Sequence, residues 1–335
     1  MAVWNPHGVA LSAVPDVELS SGYKMPILGL GTWQAVSGEV GKAVEDAIDI
    51  GYRHFDCALI YENEEEIGNA IKRKVDQGVI SREDVFLTTK LPVYKNDPEC
   101  VREAISTSLK RLKTSYVDLY LVHAPVSIDG KQFAKLGRDE FFNKPKDPST
   151  FFKDMDAALV WKEMEKLVEE GFAKSIGLSN FNEDQIQHVL NNCRIKPAVL
   201  QVECHPYLPQ EDLQTFCRKN YIVMTAYAPL GSAKFQSAKT NNGNRHGALL
   251  QETLLGRIGE KHGKTSAQIL LRWLIQRNIV AIPKSVKKER LQENFELWDF
   301  CLSEHEMGQI SGLAKSDGRM FTLDMWSDSP NYPFK

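Results

Sequence analysis

Four polar residues stand where apolar runs end, and together they make a proton-transfer set. They are Asp56 and Tyr61 in His54-Phe55-Asp56-Cys57-Ala58-Leu59-Ile60-Tyr61, Lys90 in Phe86-Leu87-Thr88-Thr89-Lys90, and His123 in Leu119-Tyr120-Leu121-Val122-His123. Carboxylate, phenol, amine and imidazole gathered in one place can move a proton. Charged neighbours shift the phenol from its ordinary pKa of about 10 toward working pH. Singly, a lysine or histidine at a strand end is an ordinary solvated terminus. Four such ends, in a chain that alternates strands with helices, point to one catalytic cluster.

Bringing four distant segments together sets a demand on the fold. A short hairpin is expected first, from Val17-Glu18-Leu19 through Ser20-Ser21-Gly22 to Lys24-Met25-Pro26-Ile27. Eight short apolar runs follow, over 27–30, 54–57, 85–89, 117–122, 175–178, 198–202, 222–226 and 279–282, nearly all separated by helical patterns. One helix places Val40, Ala43, Val44, Ala47 and Ile48 on a stripe and stops at Gly51. A second is expected to open with Asp97 as N-cap and Pro98 at its first position, with Val101, Ile105, Leu109 and Leu112 on one face. A third opens with Asn182 and Gln185 at the spacing of a capping box. Eightfold strand–helix alternation predicts parallel strands joined by crossover helices, and at this length the economical closure is the (β/α)8 TIM barrel. An open doubly wound sheet competes, but Gly29-Leu30-Gly31-Thr32-Trp33-Gln34 does not complete the dinucleotide-binding glycine pattern.

Two connections, Ala124 to about Asp154 and Gly231 to about Lys264, are too long for a compact barrel. Both follow strands, so both are expected to project from the C-terminal face as lids, binding loops or disordered segments. The tail from about 302 to 335 is aromatic-rich and is expected to drape over the barrel. All 335 residues are thus read as one barrel domain with that tail.

Composition narrows the class. A net charge of −3, without any long basic run, implies no bulk attraction to nucleic acid or anionic membrane. The six cysteines are scattered without metal-like spacing, which suits free thiols in a reducing compartment. Met1 to Gly8 has neither a basic nor an apolar leader pattern, and no apolar segment is long enough to span a bilayer. The expectation is a cytoplasmic monomer with no metal.

From about Val17 to Phe295 the chain resembles the aldo-keto reductases. The motifs are Gly51-Tyr52-Arg53-His54-Phe55-Asp56, Tyr61-Glu62-Asn63-Glu64, Lys90, Leu121-Val122-His123, Gly177-Leu178-Ser179-Asn180-Phe181, Gln201-Val202-Glu203-Cys204-His205-Pro206-Tyr207, Tyr227-Ala228-Pro229-Leu230-Gly231-Ser232 and Ile282-Pro283-Lys284-Ser285-Val286. The resemblance implies reduction of aldehydes and ketones by hydride transfer from NADPH. Tyr61 would be the general acid, Lys90 would lower its pKa, Asp56 would hold Lys90, and His123 would orient the carbonyl oxygen. It further implies that Gly31, Thr32, Trp33, Ser179, Asn180, Gln201, Tyr227, Leu230, Ser232, Lys284, Ser285, Val286, Arg290, Glu293 and Asn294 bind the cofactor. Tyr227 would stack on the nicotinamide, and Lys284 with Arg290 would favour the extra phosphate of NADPH. Trp33, Tyr61 and His123 would face the substrate.

The chain departs from some relatives at Ala124, where many aldose-reductase-like members carry tryptophan, and at Pro92, where another aromatic often stands. A wider pocket is expected, which the long loops and Trp326 can refill. His205 is read as structural. Sugar aldehydes, lipid-derived aldehydes and bulky, steroid-like ketones all remain open as substrates. The alternative reading is a nucleotide-sensing or structural barrel with vestigial reductase activity.

Overall fold

The structure is a computed structural model that describes residues 14–35, 38–137, 151–232 and 249–334. The hairpin forms as expected: β1 (Asp16–Glu18) pairs antiparallel with β2 (Lys24–Pro26). Ser21 Oγ lies 2.7 Å from Ser175 Oγ, at the start of a barrel strand, so the hairpin covers the N-terminal end of the barrel. Val17 and Met25 point into the core.

The chain then runs through β3 (Leu30–Gly31), β4 (His54–Asp56), β5 (Phe86–Leu91) and β6 (Val117–Val122). The small pair β7 (Ser127–Ile128) and β8 (Phe152–Lys153) lies outside the barrel. β9 (Ala173–Ser179), β10 (Val199–Glu203), β11 (Val223–Tyr227) and β12 (Val280–Ala281) complete it. The eight barrel strands are parallel, in sequential order. A parallel bridge between Leu28 and Ala281 closes the ring, with Gly29 N–H donating to the Ala281 carbonyl at 2.9 Å and Ala281 N–H to that of Ile27 at 2.9 Å. The fold is a (β/α)8 barrel. Its strands read as continuous apolar runs because parallel strands are buried on both faces; every residue of Val117–Val122 is buried.

The helices are α1 (Val40–Ile50), α2 (Glu64–Asp76), α3 (Val101–Leu112), α4 (Gly130–Leu136), α5 (Ala157–Glu169), α6 (Glu183–Asn192), α7 (Glu211–Lys219), α8 (Thr253–His262), α9 (Ser266–Gln276), α10 (Lys288–Phe295) and α11 (Glu304–Ser311). The Asn182–Gln185 capping box is present in both directions.

Three expectations are corrected. Asp97 does not cap α3: Pro98–Cys100 forms a separate 3-10 turn, and the Asp97 carboxylate makes no cap bond but lies 3.4 Å from Lys153 Nζ. The 231–264 connection is not all loop, since α8 occupies its second half; residues 233–248 lie outside the described residues. Of the 124–154 connection, β7, α4 and β8 are formed, and residues 138–150 lie outside the described residues. The tail begins with α11, capped by a reciprocal Ser303–Glu306 box.

Candidate active site

The C-terminal mouth of the barrel gathers the four residues singled out by their strand ends. Asp56 closes β4, Tyr61 ends a 3-10 turn (Leu59–Tyr61) after it, Lys90 lies near the end of β5, and His123 directly follows β6. Lys90 Nζ donates to Asp56 Oδ1 at 2.6 Å, to the Cys57 carbonyl at 2.8 Å and to Tyr61 Oη at 3.3 Å. The Tyr61 and His123 rings meet edge to face, with centroids 5.7 Å apart. Lys90 is fully buried and Asp56 nearly so, so their attraction is little weakened by water.

The electrostatics correct one expectation. Burial pushes the Tyr61 phenol up to about 12; Lys90 pulls it down and Asp56 works against Lys90. Lys90 therefore acts in the expected direction but does not bring the phenol toward neutrality. The Asp56 carboxylate, 2.6 Å from the ammonium, offsets part of its field, and burial outweighs the rest. Burial opposes the Lys90 ammonium, but Asp56 and Tyr61 outweigh it and hold it above the ordinary lysine value. Enclosure, reinforced by Lys90, holds His123 well below the ordinary histidine value, so its imidazole is neutral at pH 7.

A second ring of polar contacts binds this cluster to residues expected to face a cofactor. Gln201 Nε2 donates to Asp56 Oδ2 at 2.7 Å, so both carboxylate oxygens are engaged. Asn180, at φ 61°, a backbone conformation that asparagine tolerates well, donates to the His123 carbonyl at 2.9 Å and to Ser179 Oγ at 3.2 Å. Its Oδ1 accepts from Tyr227 Oη at 2.9 Å. Thr32 Oγ1 donates to the Asp56 carbonyl at 2.8 Å, and Asn63 Nδ2 to the Thr32 carbonyl at 2.9 Å. Gly31 packs against β12: a Cβ there would meet the Ile282 carbonyl oxygen at 2.7 Å. Half-buried Trp33 and Tyr227 both meet Phe321 of the tail, with centroids 5.5 and 5.6 Å apart.

The remaining expected cofactor residues follow the last two barrel strands or lie on α10. Leu230 and Ser232 follow β11, and Lys284, Ser285 and Val286 follow β12. Arg290, Glu293 and Asn294 lie on α10. Lys284 and Arg290 are exposed, and neither makes an ion pair or side-chain hydrogen bond to another described residue. The N-cap of α10, Lys287, makes no side-chain cap bond. Free amides at a helix start beside unpaired cations favour an anion. Glu293 accepts from Thr265 Oγ1 at 2.7 Å, and Asn294 is buried.

Of the expected outcomes at Ala124 and Pro92, refilling by the tail is the one the packing favours. Ala124 and Pro92 are buried, and Ala124 shares one apolar cluster with Ala58, Ile60, Val93, Phe151 and Trp326. The tail's tryptophan therefore occupies the region left by the small residues. His205 is structural as expected, with Nε2 2.8 Å from Glu203 Oε1. Two residues near the site receive no role from the sequence: Glu203, although it ends an apolar strand and lies in a quoted motif, and Phe321, which no local pattern marks.

Among the described residues, no helix is long and apolar enough to cross a membrane. No three His, Cys, Asp or Glu side chains among them are grouped to hold a metal ion.

Comparison with known proteins agrees with this architecture. The sequence profile of the Aldo/keto reductase family matches residues 27–315. The chain is 44% identical to Aldo-keto reductase family 1 member A1 of Gallus gallus, over 95% of this chain and 97% of that protein. It is 40% identical to the Homo sapiens member of the same name, over 96% and 98%. Among solved structures, that of the aldose reductase from Schistosoma japonicum superposes with a TM-score of 0.85 at 42% identity, covering 96% of this chain and 98% of that one. The chain is an oxidoreductase that belongs to the aldo/keto reductase family.

Proposed function

We propose that this protein reduces aldehydes and ketones to alcohols with NADPH, and that Tyr61 is the general acid. The observation that carries the reading is the contact of Lys90 Nζ with both Asp56 and Tyr61 Oη, beside a neutral His123, at the mouth of the barrel. The bound nicotinamide supplies the hydride. The chain's own residues do the rest. Neutral His123 donates a hydrogen bond to the carbonyl oxygen and orients it toward Tyr61. A phenol held near 12 stays protonated throughout the neutral range, which is the form an acid requires. An alkoxide oxygen is a far stronger base than a phenolate, so proton transfer from Tyr61 to it runs downhill. Lys90 then stabilises the phenolate left behind, and Asp56, fixed by Gln201, keeps the ammonium aimed.

For the cofactor, Asn180 and Gln201 offer amide groups to a carboxamide, and Tyr227 offers its ring face. Lys284 and Arg290, both without an ion pair among the described residues, suit the additional phosphate that distinguishes NADPH from NADH. Small-molecule carbonyl compounds are the substrate class, and the aromatic wall of Trp33, Phe321 and Tyr227 favours aromatic or otherwise apolar ones. The direct test is NADPH consumption with an aromatic aldehyde. Turnover that is unaffected by a chelator supports the reading. Tight NADPH binding without aldehyde-dependent turnover would replace it with a nucleotide-sensing role.

A further inference from the structure

Glu203 is a fully buried carboxylate at the end of β10, which pairs with β9, and none of its recorded side-chain partners belongs to the tetrad. Its partners come from elsewhere. Oε1 accepts from the backbone N–H of Met320 at 2.7 Å, Oε2 from that of Phe321 at 3.0 Å, and His205 Nε2 lies 2.8 Å from Oε1. Arg319 Nη1 stands 3.9 Å from Oε2, and its guanidinium lies over the ring of Phe334. A buried carboxylate needs such donors to offset the loss of water, and here the tail supplies two of the closest three. Docking of the tail and solvation of this charge are therefore one event.

The register of the docked segment is fixed just upstream. Lys315 N–H donates to the Tyr207 carbonyl at 3.1 Å, and its Nζ lies over the Tyr207 ring. Gly318 packs so closely that a Cβ would come within 1.9 Å of the Tyr207 carbonyl oxygen, so no other residue fits there. Downstream, Asn331 is held by Met155 and Gln185. Between these anchors Phe321 is placed against Trp33 and Tyr227.

We propose that Glu203 is a positioning residue: by clamping the Met320 and Phe321 amides it sets the aromatic wall of the site and so determines affinity for aromatic carbonyl substrates. The inference rests on the reductase reading for its kinetic consequence, but not for the clamp itself. Glu203→Ala removes both acceptors. Glu203→Gln keeps the size and one acceptor oxygen but turns an NH2 toward the other amide. Phe321→Ala removes the wall and leaves the clamp.

The experiment combines amide hydrogen exchange over residues 315–325 with steady-state kinetics for an aromatic and a short aliphatic aldehyde. Glu203→Ala, and Glu203→Gln to a lesser degree, should speed exchange at least tenfold. Both should raise KM for the aromatic aldehyde several-fold while kcat and the aliphatic KM stay within about twofold. Phe321→Ala should reproduce the KM change without the exchange change. Unchanged exchange in a folded Glu203→Gln protein would overturn the clamp. Faster exchange with unchanged KM ratios would overturn the role in specificity. A wild-type protein that turns over neither aldehyde overturns the reductase reading and the kinetic half of this proposal, a failure the exchange data keep separate from the clamp.

Discussion

Replacing Lys90 with methionine tests the electrostatic core of the site on two independent scales. The substitution keeps most of the apolar stem but removes the Nζ that bonds Asp56, the Cys57 carbonyl and Tyr61 at 2.6, 2.8 and 3.3 Å. Asp56 is then a buried carboxylate held by Gln201 alone. Breaking a buried ion pair from one side costs about 3–5 kcal/mol, a large share of the 5–15 kcal/mol typical of a whole protein. The Tyr61 phenol, already pushed up to about 12 by burial, rises further once the ammonium is gone. The phenolate left after proton transfer loses the ammonium that contacts its oxygen, and turnover falls.

The assay is urea denaturation at pH 7.5, with initial rates at the same pH. The expected result is a midpoint below that of wild type, with an unchanged m value. The double variant Asp56→Asn/Lys90→Met should recover a measurable part of the stability but little activity. Equal midpoints for wild type and Lys90→Met would refute the picture of a buried, mutually dependent pair. Full activity in the double variant would refute the role of Lys90 in stabilising the phenolate.

Tyr61→Phe should lower kcat by about 10²–10⁴-fold, the usual contribution of a positioned general acid, while NADPH binding, read by fluorescence quenching, persists; activity within tenfold of wild type removes Tyr61 from the mechanism. Alcohol oxidation needs Tyr61 as phenolate, so its rate should rise with pH toward about 12, whereas reduction should stay level through the neutral range; oxidation that levels off near pH 7 contradicts the raised phenol. Lys284→Met and Arg290→Met should each weaken NADPH by about 1.5–3 kcal/mol, the scale of a hydrogen bond to a charged group, and leave NADH nearly untouched; equal losses for both place the phosphate elsewhere. Ala124→Trp should destabilise the fold by about 1–3 kcal/mol through overpacking, because Ala124 is fully buried in the Trp326 cluster; unchanged thermal stability would mean that this region is open after all.

What the sequence shows of this molecule follows the range of the forces involved. Barrel strands are legible because burial on both faces makes them continuous apolar runs, and the tetrad because ionisable residues interrupt those runs at their ends. The Asn182–Gln185 box is legible because every partner lies within three residues. Ser303 and Glu306 carry the same spacing, yet the helix behind them offers a thin apolar stripe with Gly308 inside it. Similarly, α8 is masked by Gly256 and Gly259, which lower helix propensity by about 1 kcal/mol each. Asp97 has the right type and place for a cap but points to Lys153, a partner more than fifty residues away.

The pKa of Tyr61 and the shape of the pocket are out of reach of any such pattern, because both are sums over the whole mouth. Lys90 is visible as a cation near the phenol; the depth of burial that outweighs it is not. In the same way, Ala124 read alone implies space. Only the folded tail shows that Trp326 fills it, and that Phe321 is brought to Tyr227 by a carboxylate on β10. The barrel supplies the chemistry from its strand ends, where local pattern reveals it. The tail reaches the same mouth through contacts made across more than a hundred residues, which no local pattern can carry.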